Sequence, residues 1–273
     1  PWVIANAGGL STVAAGLGGA SGEFGSIFDP WVAYSFGIPV TIGLLSGPLG
    51  DQMHWQRAYA IRSNRDAVKT FLLAAFFFIL VPVTLSLLGF VAAGMPKMVV
   101  ENTQMVGPIT VSHLLPPFML VIFSLMLLSG LCSTLDSILC AVSSLGAIDL
   151  LGGNQRDKSS HVRSARITMV ITAILGILIS FIPGLKILYL FLFYGTLRAS
   201  TLIPTVFTLL WGKVKSSSVF TAILLSILVG APLNAAGAFL KNPHLTVLGS
   251  VIVVVIGIGM CGIGTYVSAA QEK

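Results

Sequence analysis

Charge is what this chain has least of. Only 9% of its 273 residues are Asp, Glu, Lys or Arg, against about 25% in a soluble globular domain. With 55% hydrophobic residues and a mean hydropathy of +0.96, a water-soluble fold is excluded. The apolar runs are too long for the strands of a membrane barrel, so the class is an all-α integral membrane protein. Cysteine is scarce too. Cys132, Cys140 and Cys261 each lie inside an apolar run, without a CxxC or Cys/His spacing. That pattern excludes a disulfide framework and a thiolate metal site. No signal peptide is present and the first residue is Pro1. The expectation is a fragment whose N-terminal membrane helices are missing. No Lys/Arg cluster is interleaved with aromatics, so the net charge of +6 speaks of membrane topology and not of nucleic acid. His54, His113, His161 and His244 all fall at loop edges or in loops. With no Ser-His-Asp set and no metal triad, no enzyme is expected.

What is present is a succession of spans. Residues 1–30 are Gly-rich and read as an external loop, with at most a short surface helix. Their glycines do not match a nucleotide fingerprint. Spanning runs follow at 31–50, 67–94, 114–150, 164–182, 185–211, 217–240 and 245–266. The first carries Gly37, Pro39, Gly43, Gly47, Pro48 and Gly50. Such interruption predicts either unwound backbone beside a binding cavity or a kinked helix. Loops rich in basic residues (Arg57, Arg62, Arg65 and Lys69; Arg156, Lys158, Arg163 and Arg166; Lys213 and Lys215) alternate with loops holding one lysine each, Lys97, Lys186 and Lys241. The positive-inside rule then puts 1–30 outside and the C-terminus in the cytoplasm, in a multi-pass protein of the plasma (inner) membrane.

The third span bears a polar stripe. Ser129, Ser133, Asp136, Ser137, Cys140 and Ser144 recur at spacings of three and four, which places them on one helix face. Hydroxyls in membrane helices often back-bond to the preceding turn or provide small packing surfaces. A buried charge such as Asp136 instead points to function. Adjacent Ser133 and Thr134 offer hydroxyl oxygens, and Gly130 offers a carbonyl one turn earlier. Hard cations take oxygen ligands, and Na⁺ fits this chemistry. Arg198, the other deep ionisable group, has three readings: an ion pair with Asp136, contact with an anionic substrate, or snorkelling. Tyr189 and Tyr194 precede it as packing aromatics or as a lid over a substrate.

Ser133–Leu145 (S-T-L-D-S-I-L-C-A-V-S-S-L) resembles the eighth core helix of the sodium:solute symporter family. Asp51–Ala60 (D-Q-M-H-W-Q-R-A-Y-A) resembles the end of that family's sixth, and 197–211 resembles its tenth. The resemblance implies part of a LeuT-type five-plus-five inverted-repeat fold working by alternating access. Residues 31–211 would be the second-repeat bundle, core helices six to ten, and 212–273 two additional helices with a short tail. It implies Na⁺ as coupling ion at Gly130, Ser133 and Thr134. Ser46 and Gly47 become candidates for the substrate site, with Asp51 and Gln52 facing an inner vestibule. The partners it implies are a small-molecule solute, the lipid bilayer and the first-repeat helices absent from this chain. The D-Q-x-x-W-Q pattern is similar to urea- and polyamine-type members, whereas an exposed Arg198 favours a carboxylate, so the solute stays open. Two rival readings stand beside transport: the ligand-sensing membrane domain of a receptor-type signalling protein, and a purely structural helical membrane protein.

Overall fold

A backbone in hydrocarbon must satisfy its own hydrogen bonds, and a run of about 20 apolar residues does so as a helix. The computed structural model describes residues 1–19, 28–95, 98, 102–150, 158–183, 187–211 and 214–271. Arg156, Lys213, Lys97, Lys186 and the Gly184 turn lie outside these residues. In chain order the helices are α1 (Trp2–Asn6), α2 (Leu10–Gly16), α3 (Pro30–Val32), α4 (Ile38–Gly50), α5 (Gln52–Ala60) and α6 (Asn64–Gly94). They continue as α7 (Val106–Leu114), α8 (Pro117–Leu145), α9 (Lys158–Ser180), α10 (Ile187–Trp211), α11 (Ser216–Phe239) and α12 (Pro243–Gln271). Among the described residues seven helices are long and apolar enough to cross a membrane, matching the seven predicted runs.

The first predicted span is not unwound. A π-helical turn, Ala33–Gly37, joins α3 to α4 without a break, and Pro39 sits in the first turn of α4. The chain leaves helical geometry only at Asp51.

The helices fall into two compact units, 1–29 with 59–139 and 30–58 with 140–273. In the first unit the Gly-rich start is not a simple loop. Helix α2 packs on the end of α6, where Gly16 lies against the Phe90 carbonyl and Gly94 against that of Thr12. A Cβ on either glycine would collide with backbone. Val91, Thr110 and Val111 are buried close by. The apolar middles of α6 and of α8 are uncovered.

In the second unit α4, α10, α11 and α12 pack on one another. Small residues make this possible, as is usual where lipid removes the hydrophobic drive between helices. Gly230 meets Val253, and Gly249 stands 2.7 Å, by its missing Cβ, from the Asn234 amide nitrogen. Several buried hydroxyls lie along the same seams. The Ser250 hydroxyl donates to the Thr246 carbonyl at 3.0 Å and lies 3.3 Å from the Thr196 hydroxyl. Ser226 donates to the Val253 carbonyl. At the far end of α4 the Tyr34 hydroxyl meets His244 Nδ1 at 2.9 Å.

Candidate functional site

Helices α4 and α10 approach along a row of glycines on α4 and the row Gly195, Arg198 and Thr201 on α10. Gly43 faces Gly195, Gly47 faces the Arg198 guanidinium, and Gly50 faces Thr201. Spacings of three and four keep each row on one face. The Arg198 guanidinium lies against Gly47, where a Cβ would stand 3.4 Å from Nη1, in ordinary van der Waals contact. It crosses α4 there and reaches the residue where that helix ends.

That residue is Asp51. Arg198 Nε donates to Asp51 Oδ1 at 2.8 Å, and Nη2 donates to Oδ2, a bidentate pair. The Tyr194 hydroxyl donates to the same Oδ1 at 3.3 Å, and its ring centroid lies 4.4 Å from Arg198 Cζ. The side chains of Arg198 and Asp51 are 16% and 10% exposed, so the pair is largely shielded from water. The Asp136–Arg198 pairing considered from the sequence is thus replaced by Asp51–Arg198. The physical reason is reach, because Asp51 stands at the end of α4, one turn beyond the residue that the guanidinium lies against. Asp136 is exposed and not a buried charge.

Helix α5 is fastened at this corner. Trp55 Nε1 donates to the Leu49 carbonyl at 2.9 Å, satisfying one of the open acceptors at the end of α4. Gln56 Nε2 donates to Ser144 Oγ at 2.7 Å. Of the other candidates, Ser46 is fully buried and its hydroxyl donates to the Ile42 carbonyl at 2.6 Å. Gln52 and Tyr189 are half-buried. Sequence reasoning listed Asp51, Arg198 and Tyr194 separately and missed that they converge. The signal available was Gly47 one turn before a helix-ending carboxylate.

In the first unit, Gly130, Ser133 and Thr134 lie on an exposed stretch of α8. The Thr134 hydroxyl donates to the Gly130 carbonyl at 3.0 Å, and Ser137 donates to the Ser133 carbonyl at 3.0 Å. A hydroxyl that donates in this way keeps its lone pairs. Thr134 Oγ1, Ser133 Oγ and the Gly130 carbonyl therefore remain an oxygen-only set of the kind that hard cations take.

The family model described as the sodium:solute symporter family matches residues 12–226. The chain belongs to the sodium:solute symporter family. Comparison with curated proteins and with solved structures gives no match. Membership makes the chain a multi-pass membrane protein of a family that couples solute transport to Na⁺. Both symporter motifs and all of α10 lie inside the matched range, whereas α12 lies beyond it.

Between the spans, His54 stands beside the ion pair. Its Nδ1 is buried without a hydrogen-bond partner and lies 3.9 Å from Asp51 Oδ2. Burial, and then the nearby Arg57 charge, push the imidazole below its ordinary value of 6.5. The folded protein therefore binds fewer protons here than the unfolded chain. The stability that His54 contributes is complete above the unfolded value and is lost as pH falls through the lowered folded value. His54→Gln is expected to flatten the acid limb of the stability profile. Thermal midpoints measured from neutral to mildly acid pH check this, and identical acid limbs in both proteins would contradict it.

Proposed function

We propose that this chain is the second-repeat part of a Na⁺-coupled secondary transporter of a small organic solute, working by alternating access. Na⁺ binds at the Gly130 carbonyl and the Ser133 and Thr134 hydroxyls. The polar face of α8 that carries them is completed by first-repeat helices of the same protein. The loop after α4 is cytoplasmic and the segment 1–30 external, following the basic-loop alternation. Asp51, Arg198 and Tyr194 act as an inner gate beside Gln52, and the substrate region lies near Ser46 and Gly47, with Tyr189 on the same helix as the gate arginine.

The observation that carries this reading is the Asp51–Arg198 pair. Two largely shielded, opposite charges join the end of the Gly/Pro-rich span to the middle of α10. Such a pair holds a helix junction shut until its charges are re-solvated, which is what a gate requires. It also engages the one deep guanidinium among the described residues, which removes the main argument for a carboxylate substrate and favours a neutral or cationic solute.

Equilibrium binding of radiolabelled Na⁺ to the whole purified protein tests the ion site. Ser133→Ala and Thr134→Ala are each expected to weaken binding about tenfold, the equivalent of about 1.4 kcal/mol. Unchanged Na⁺ affinity in both variants would remove the ligand assignment.

A further inference from the structure

We infer that Gln56 is a positioning residue that couples the proposed ion helix α8 to the proposed inner gate, through its hydrogen bond to Ser144. The inference rests on the transport reading above and extends it to how ion and gate communicate.

The bond is well formed. Gln56 Nε2 donates to Ser144 Oγ at 2.7 Å, while the Ser144 proton goes to the Ala141 carbonyl at 2.8 Å. The serine oxygen is thus free to accept, and both bonds hold at once. Eighty-eight residues separate the two partners in sequence, so no local helix geometry requires the contact. Gln56 joins the two symporter motifs, one from the D-Q-M-H-W-Q-R segment and one from the S-T-L-D-S-I-L-C-A-V-S-S-L helix.

The register of α8 gives the contact its meaning. Ser144 follows Ser133 by 11 residues, which at about 100° per residue returns to within about 20° of the same direction. Gln56 therefore holds the face of α8 that carries Ser133, about three turns further along. At its other end α5 starts immediately after Asp51, and Trp55 fixes it to the last turn of α4. No flexible spacer intervenes between the gate carboxylate and Gln56. A rotation or slide of α8 on binding its ion is thereby passed to Asp51 by a rigid strut. An amide suits this role, since it carries no charge to desolvate and does not titrate.

The test uses the whole protein in liposomes and radiolabelled Na⁺ as the only probe. A coupled symporter admits little Na⁺ without solute. Gln56→Ala and Ser144→Ala are expected to raise solute-free Na⁺ entry about fivefold, the factor equivalent to one hydrogen bond. Ser144→Thr keeps the acceptor oxygen and is expected to stay at the wild-type rate. Equilibrium Na⁺ affinity is expected to be unchanged in Ser144→Thr and to shift by no more than about the same fivefold factor in the alanine variants. Wild-type entry rates in both alanine variants would overturn the inference. So would a fall in Na⁺ affinity that tracks loss of folded protein, because it would make the bond merely structural. Should the wild-type protein bind Na⁺ no better than the Ser133→Ala, Thr134→Ala double variant, the transport reading itself fails. That result is separable from wild-type Na⁺ binding with silent strut variants.

Discussion

Asp51→Asn is expected to destabilise the protein by about 3 kcal/mol, the loss typical of removing one partner from a buried ion pair. The Arg198 guanidinium would keep its position over Gly47 and against the Tyr194 ring but lose its countercharge. Arg198→Gln is expected to be comparably harmful, because Asp51 would then be left 10% exposed and uncompensated. Combining the two substitutions removes both charges, so the double variant should lose much less than the sum of the single losses. A coupling of about 0.5 to 3 kcal/mol is the range seen for residues in direct contact. Thermal or denaturant unfolding of the purified protein measures all three. Additive losses would show that the pair contributes nothing as a pair. Asp136→Asn supplies the contrast. Since Asp51 is the carboxylate bound to Arg198, Asp136→Asn and Arg198→Gln are expected to add.

How much of this was legible beforehand follows from the range of each signal. The spans were legible because the length of an apolar run is itself the requirement for crossing a bilayer. The predicted 31–50 and 185–211 appear as Pro30–Gly50 and Ile187–Trp211. The polar face of α8 was legible as a face, because helical periodicity is local. Its ligand role remains a proposal, and its hydroxyls at Thr134 and Ser137 back-bond to the preceding turn. The partner of Arg198 was not legible. Asp51 is 147 residues away, and one carboxylate looks like another until the helices are packed. The Gly and Pro content of the first span left unwinding and a kinked helix both open, and the helix absorbs it as a π-helical turn, a device common near functional sites. The glycines of the first segment suggested a loop, yet Gly16 serves close packing against α6. In both places glycine was read for its flexibility when its smallness was what mattered.

That distinction sets up the largest effect expected in the second unit. Gly43→Val is expected to cost about 3 kcal/mol or more, at the upper end of overpacking losses. A Cβ on Gly43 would stand 2.9 Å from the Gly195 Cα, and one on Gly195 would stand 3.1 Å from the Gly43 Cα. Backbone faces backbone on both sides, so no flexible side chain can yield and the helices themselves must separate. Separation at Gly43 carries Gly47 away from the guanidinium and Asp51 away from Arg198. Gly43→Val should therefore lose the ion-pair coupling as well as its own packing. Gly43→Ala is expected to cost less, since one methyl needs a smaller displacement. Gly259→Ala is the control, because a Cβ there meets nothing within 4 Å. It should be neutral or gain up to about 1 kcal/mol from helix propensity. Thermal midpoints in the order Gly259→Ala, Gly43→Ala, Gly43→Val, from highest to lowest, are the expected result. Repeating the Asp51–Arg198 double-variant cycle in the Gly43→Val background separates two explanations. If its coupling survives undiminished, the two helices tolerate the methyls without moving apart, and the close contact is not what holds the Asp51–Arg198 pair in register.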